Sequence, residues 1–320
     1  MTDALVTPPV ASPGMKRQTG RAVFIHDLLR SGTGLFGAVL LGLIVLAAIL
    51  APWISPHDPT AQMLSNRLQP PILFGGTTEH LLGTDQLGRD LLSRLLQGAR
   101  LSMMVALAVV AIAGTFGVVM GLLAGYRGKT TDAVIMRIVD MQLAFPGILL
   151  ALVILYALGP SAALLIIVLS INGWMVYARI TRSLVLSLRS SEYIEAAEMA
   201  GAGPIRLMGR HILPNLTSPI LTLAVLEFAR IILAEASLSF LGYGVQPPDS
   251  SWGLIIGQGQ DYLRSSWWLV TIPGLVICAT VLSANLLASW LRIYTDPKQR
   301  EKQLGGQMDD LAKDLRNADD

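Results

Sequence analysis

The stretch with the strongest claim to chemistry is "LAGYRGKT", Leu123 to Thr130, whose Gly128, Lys129 and Thr130 match the end of a phosphate-binding loop. Such a loop also needs glycine at the position of Leu123, so that backbone N–H groups can close around phosphate, and it follows a strand. Here it follows an apolar run. The segment reads as a basic cytosolic turn.

The other reactive residue types give no constellation either. His26, His57, His80 and His211 are scattered, with no pair at helical spacing, so no metal site is expected. Cys278 stands alone in an apolar run, which excludes a disulfide framework and a thiolate cluster and suggests a small core hydrophobe. There is no Gly-x-Ser-x-Gly elbow and no Ser-x-x-Lys pair, so nucleophilic catalysis has no support. The expectation is a chain without catalytic residues and without a cofactor.

Charges inside apolar runs are expensive and therefore informative. Glu227 and Arg230, three apart, can pair on one helix face, with Glu235 further along. They could line a pathway or meet a companion subunit, and an intrahelical ion pair explains the first two equally well. Asp140 and Gln142 mark the start of another apolar run, with Pro146-Gly147 as a kink.

The elements that hold these residues are membrane helices. The 320 residues are 52% hydrophobic and 14% charged, outside the range of soluble domains, and a net charge of +2 gives no reason to expect nucleic acid as a partner. Crossing about 30 Å of hydrocarbon takes roughly 20 apolar residues. Six stretches qualify: 32–54, 101–125, 138–158, 162–180, 219–241 and 267–291. The third and fourth, joined by Gly159-Pro160-Ser161, should form a tight hairpin. Putting the N-terminal tail, the loop at 126–137, the segment at 179–215 and the C-terminal tail on one side collects most of the 24 lysines and arginines there, which predicts cytosolic termini.

This predicts tails at 1–31 and 298–320, solvated and without fixed structure, around a membrane domain at 32–297 with a long outer loop at 55–100. That loop ends in "HLLGTDQLGRDLLSRLLQGARLS", where Leu87, Leu91, Leu92, Leu95 and Leu96 make an apolar stripe opposite Arg89, Asp90, Arg94 and Gln97. A helix of that kind could lie along the outer membrane face or pack on neighbouring spans. A second outer loop, "GYGVQPPDSSWGLIIGQGQDYLRSS", is flanked by Trp252, Trp267 and Trp268, which read as interfacial anchors.

Between the fourth and fifth runs lies a polar island, "EYIEAAEMAGAGPIRLMGRHILPN", Glu192 to Asn215. At about 2.5 to 3.5 kcal/mol for each buried charge, spanning a bilayer would cost it about 15 to 20 kcal/mol. It must face water or protein. Ser190 or Ser191 can cap a helix carrying Glu192 and Glu195 in its first turn; Gly201 can end it, Gly203 bend the chain, Pro204 begin a second helix and Pro214 stop that one. The second helix should align Ile205, Met208 and Ile212, with Arg206 and Arg210 on another face. Ala196, Ala197 and Ala200 permit close approach. Two short helices with these features fit a partner's groove, or an ordinary loop folded back on the bundle.

The spacing within this island resembles the EAA signature of permease subunits of ATP-binding-cassette importers: Glu195, Ala196 and Ala197, three residues, Gly201, nine residues, then a close ending in Leu213-Pro214 with His211 in place of the usual isoleucine. "HLLGTDQLGRDLLSRLLQGARLS" and "EASLSFLGYGVQPPDSSWG" resemble segments of the C-type subunit of dipeptide and oligopeptide permeases, and the likeness runs over about residues 30 to 297. It implies an all-α, six-helix polytopic membrane protein with the type I importer permease fold in the bacterial inner membrane. It also implies that 190–215 forms coupling helices seated in a separate ATPase, with Glu195, Ala196, Ala197, Gly201, Gly203, Pro204, Arg206, Leu213 and Pro214 making that contact. The implied partners are a homologous permease, two ATPases, an external substrate-binding protein and the lipid bilayer. Nickel or another small solute is the alternative cargo; an ion-coupled secondary transporter would instead need buried ion sites in broken helices.

Overall fold

Residues 20–295 are described by the computed structural model, and within them the chain is helical, with one isolated bridge between Thr84 and Asp90 and no strand. Residues 1–19 and 296–320, which carry most of the polar N-terminal segment and the charged C-terminal one, lie outside the described residues. Within the predicted N-terminal segment, α1 (Gly20–Arg30) is helical. Phe24 explains this: its ring stands edge-on to Trp290 at 4.9 Å and Tyr294 at 5.2 Å, so aromatic packing on the far end of the chain orders the segment.

The first span is α2 (Gly32–Ile54), capped by the Ser31 hydroxyl, which accepts the Gly34 N–H at 3.1 Å. Next comes α3 (Leu91–Arg127), 37 residues and so about 55 Å long. The stripe at 87–97 does not form a separate helix on the membrane. From Leu91 it is the first two turns of α3, and charged residues are buried there along with the leucines: Arg94 is 1% exposed, and Arg89, Asp90, Leu91 and Leu95 are also buried. Arginine tolerates burial when acceptors meet its donors, and the preceding loop supplies Asp85.

The third crossing is broken. α4 (Lys129–Leu143) and α5 (Gly147–Leu158) meet at 79°, so among the described residues five helices are long and apolar enough to span, and up to six crossings result when the bent pair is taken as one. Pro146 lies at the bend, as its sequence position suggests, but the angle is far beyond a kink. Neighbours hold it: Gln142 Nε2 donates to the Ile171 carbonyl at 2.6 Å, Trp174 Nε1 donates to Gln142 Oε1 at 3.1 Å, and Asn172 Nδ2 donates to the Gly147 carbonyl at 3.2 Å. These side-chain bonds tie both sides of the break to the helix that follows it.

The remaining long helices are α6 (Ala162–Arg189), α9 (Leu213–Phe240) and α11 (Trp268–Thr295), with the short α10 (Trp252–Gly259) before the last. α3 and α6 run parallel and very close, because α3 places Gly117, Gly121 and Gly125 one turn apart on the contact face. A Cβ on Gly121 would lie 2.5 Å from the Ala178 carbonyl oxygen. Small residues at this spacing let helix backbones touch in a membrane. α2 packs on α11 in the same way, where a Cβ on Gly37 would meet the Ser283 carbonyl oxygen at 2.8 Å.

The outward surface is apolar, with Phe36, Leu43, Leu107, Phe116, Val153 and Leu275 all exposed. That suits lipid. Cys278 shares this exposure and is not a core residue; its place on the outer side of α11 needs only an apolar neighbour, which lipid provides. Trp252 departs from expectation in the opposite sense. It is fully buried against Gly98, with its indole N–H donating to the Leu95 carbonyl at 3.1 Å, so it pins α10 to α3 instead of anchoring in an interface.

Candidate functional site

The parallel run of α3 and α6 separates two functional ends. At one end lie the 55–90 loop and α10; at the other, beyond the last turns of α3 and α6, lies the polar island. There α6 gives way after Ser190 and Ser191 to α7 (Glu192–Met199). Ser191 has the backbone of a cap, but its hydroxyl donates to the Leu188 carbonyl at 2.6 Å and caps nothing ahead of it. Glu192 and Glu195 still occupy the first turn, where negative charge suits the helix end.

α7 ends as its glycine requires. Gly201 sits at φ +83°, its N–H donates to the Glu198 carbonyl at 3.0 Å, and the Ala202 N–H reaches back to the Ala197 carbonyl at 3.1 Å. This pair of bonds is the Schellman arrangement, which favours glycine because the left-handed backbone carries no Cβ penalty there. Gly203 caps the next turn, α8 (Pro204–Arg206), with Pro204 at its start.

The chain does not stop at Pro214. A π-helical segment, Leu207–Ile212, continues α8 directly into α9, with the Leu213 N–H bonding to the Met208 carbonyl five residues back. The wider turn resets the hydrogen-bond register so that Pro214 falls in the first turn of α9, where its missing N–H has no partner to find. The expected second short helix is thus the head of a long one running from Pro204 to Phe240.

The register change also separates the residues expected on one face. Ile212 is fully buried, while Ile205 is 84% exposed and Met199, across the turn, is 90% exposed. Ile194, Leu207, Ile212 and Leu216 close instead on Leu122 of α3 and Val185 of α6, forming a small core that fixes the island to the helix ends. Tyr193 Oη and His211 Nδ1 lie 2.7 Å apart and tie α7 to the π segment. That tie was not anticipated, although His211 stands where the signature usually has isoleucine.

The result is a rigid knob with an unpartnered tip. Glu195, Ala196, Gly201, Gly203, Pro204, Arg206, Leu213 and Pro214 are exposed and Ala197 is half-buried, while Met199 and Ile205 present bare apolar surface. Among the described residues, none of Glu192, Glu195, Glu198, Arg206 and Arg210 makes an ion pair within the chain. Behind the knob, Arg182 of α6 holds Asp132 of α4 with Nη2 to Oδ2 at 2.6 Å, and Arg179 holds Asp140 at 2.6 Å.

The charged residues of the fifth run separate. Arg230 and Glu227 form an intrahelical pair, Nη2 to Oε2 at 2.6 Å, with Glu227 buried and Arg230 half-exposed. Glu235 lies in the chain's own core with no exposure, accepting from Ser102 Oγ at 2.9 Å and Ser239 Oγ at 2.6 Å. It cross-links α9 to α3 and faces neither solvent nor an outer surface.

The opposite end holds residues that spacing alone did not group. Asp85 receives Arg89 Nε at 2.7 Å and the Arg94 guanidinium, while Gln258 Oε1 accepts from Arg94 Nη2 at 2.8 Å and Arg89 Nη2 at 3.1 Å. The network sews the 55–90 loop to α3 and α10. The histidines, scattered in sequence, do not stay so: His57 and His80 lie with ring centroids 4.8 Å apart beside Asp90, because the loop folds back over the start of α3. The gaps of 23 and ten residues between them gave no periodic signal.

Residues 117–301 match the family of binding-protein-dependent transport system inner membrane components, and residues 22–71 match the N-terminal transmembrane domain of oligopeptide transport permease C. The chain is 40% identical over 297 residues to the di/tripeptide transport system permease protein DppC of Pseudomonas aeruginosa, covering 92% of this chain and 98% of that one. It is 44% identical over 271 residues to a putative peptide transport system permease protein of Brucella suis, covering 85% and 90%. It is 42% identical over 279 residues to the dipeptide transport system permease protein DppC of Escherichia coli, covering 87% and 93%.

Proposed function

The chain belongs to the family of binding-protein-dependent transport system inner membrane components, and from that membership we propose that it is the permease subunit of an ATP-driven importer of short peptides. The relatives named as dipeptide and di/tripeptide permeases match across nearly their whole length, which supports the cargo. The membrane domain spans 32–297, with both termini in the cytosol and the 55–90 loop outside. A homologous permease completes the pathway, an external binding protein delivers the peptide to the loop end, and two ATPases act at the knob.

The observation that carries this reading is the knob's geometry. Its tip exposes Met199 and Ile205, apolar side chains that water does not favour, ringed by glutamates and arginines without partners of their own. Apolar centre and charged rim are the anatomy of a protein-docking surface. Its base is continuous with two membrane helices and packed on a third through Ile194, Leu207 and Ile212. Displacement of the knob by an ATPase is therefore delivered to α3, α6 and α9 together, and the break between α4 and α5 gives the bundle a place to change its angle. The role of this chain is mechanical; the nucleotide chemistry belongs to the ATPases.

Cross-linking tests it. Single cysteines at Met199→Cys or Ile205→Cys, in a Cys278→Ala background, should cross-link to the ATPase subunit in the assembled transporter, with a yield that changes when nucleotide is trapped. A transporting complex in which neither position reaches an ATPase would overturn the proposal.

A further inference from the structure

We propose that His57, His80 and Asp90 form a binding site for a divalent transition-metal ion of the zinc type, at the end of the bundle that carries the 55–90 loop. The three come from the chain just after α2, the middle of the loop and the cap of α3. One donor atom from each lies within 4.8 Å of the other two. Asp90 Oδ1 is 3.0 Å from His80 Nδ1 and 3.8 Å from His57 Nδ1. Zinc bonds of about 2.0 to 2.2 Å put tetrahedral ligand atoms about 3.3 Å apart. A small turn of the His57 ring closes the set.

Hydrogen bonding within the cluster accounts for two of the three ligands and leaves the third over. His80 has Asp90, but His57 Nδ1 is buried and has no hydrogen-bond partner. A buried nitrogen without a partner is unfavourable, and a shared cation gives it one. Asp90 is already divided for such a role. Its Oδ2 accepts the Ser93 N–H and hydroxyl, both at 2.8 Å, as the α3 cap, so Oδ1 remains for the ion. Ser93 Oγ also accepts the His57 backbone N–H at 3.1 Å, which places the first histidine beside the cap.

The surroundings fit metal ligation. His80 Nε2 lies 3.4 Å from the side-chain amide of Asn66, which holds the far side of the ring. A cleft of about 440 Å³, lined by His57, Asp58, Gln97 and Arg100 among others, reaches the partly exposed His57 and gives an ion a path to it. Two imidazoles and one carboxylate select zinc, nickel or copper over calcium and magnesium, which prefer all-oxygen sets. Bound there, the ion staples the loop to both helices it connects. The inference stands apart from the transport reading, since the knob occupies the other end.

The test uses the assembled transporter, purified without a polyhistidine tag and stripped with a chelator, titrated with Zn²⁺ against a chromophoric competitor, with Co²⁺ as a spectroscopic probe. The wild type should bind about one equivalent in this site and show the visible bands of a low-coordinate Co²⁺ centre. His57→Ala removes a side chain without hydrogen bonds, and Asp90→Asn keeps a capping oxygen. Each should weaken binding by about 100-fold or more and abolish the zinc-dependent rise in melting temperature. His57→Ala decides alone if Asp90→Asn does not fold. Absence of saturable binding, or the same affinity and Co²⁺ spectrum in His57→Ala as in the wild type, would overturn the site.

Discussion

Gly201 offers a way to separate folding of the knob from docking of the knob. It holds φ +83°, yet no atom lies within 4 Å of the place where a Cβ would sit. Within the chain, the cost of Gly201→Ala is therefore conformational alone, about 1 to 2 kcal/mol for an L-residue in the left-handed region. That corresponds to about a 5- to 30-fold rise in opening of the turn. Gly201→Asn costs less, because asparagine visits this region more readily, but it projects a larger side chain from the exposed surface. The two substitutions thus rank oppositely under the two roles. If the turn only shapes the chain, alanine is the worse replacement. If an ATPase seats against it, asparagine is. Hydrogen exchange at the Gly201 and Ala202 amides reads the turn, and ATP-driven dipeptide uptake by the reconstituted transporter reads the coupling. The expected result is Gly201→Asn with near-native exchange and the larger loss of uptake. Native uptake in Gly201→Asn together with impaired uptake in Gly201→Ala would refute the docking role.

Two further outcomes follow from packing and charge. Gly121→Leu forces α3 away from the Ala178 carbonyl, which a Cβ would approach to 2.5 Å, whereas Gly42→Leu on α2 meets no neighbour within 4 Å. In thermal melts of the detergent-solubilised protein the first should lose the folded state and the second should melt as wild type; equal melts would show that α3 and α6 are not so close. Asp85→Asn leaves Arg89 and Arg94 without their carboxylate in a buried site, at a cost of about 3 to 5 kcal/mol. The exposed Asp249→Asn should stay within about 0.5 kcal/mol of wild type, and limited proteolysis should cut the 55–90 loop only in the first. An uncut loop in Asp85→Asn would show that the network does not hold it.

The island was the most legible part of the site, because its signals are local. Charge excludes it from lipid, Gly201 closes a Schellman turn within six residues, and Pro204 begins a turn at the position proline prefers. Its end was not legible. Proline ordinarily halts a helix, and only the π segment, which depends on packing of Leu207 and Ile212 against α3 and α6, carries the chain past Pro214. The buried stripe of α3 misled for a related reason. Arg89, Asp90 and Arg94 look like a wet face until Asp85 and Gln258, the latter over 160 residues away, arrive to meet their donors.

By itself the sequence determined that this is a helical membrane protein, where its apolar runs lie, and that residues 190–215 carry charge that disfavours lipid. Those properties are set by transfer free energies and backbone preferences that act over a few residues at a time. The tertiary structure decided which polar residues are buried, how sharply the third crossing bends, where the π segment falls, and that His57, His80 and Asp90 share one place. Each of these depends on groups distant in the chain satisfying one another's hydrogen bonds or filling one another's space. Such satisfaction becomes visible only when the helices are side by side.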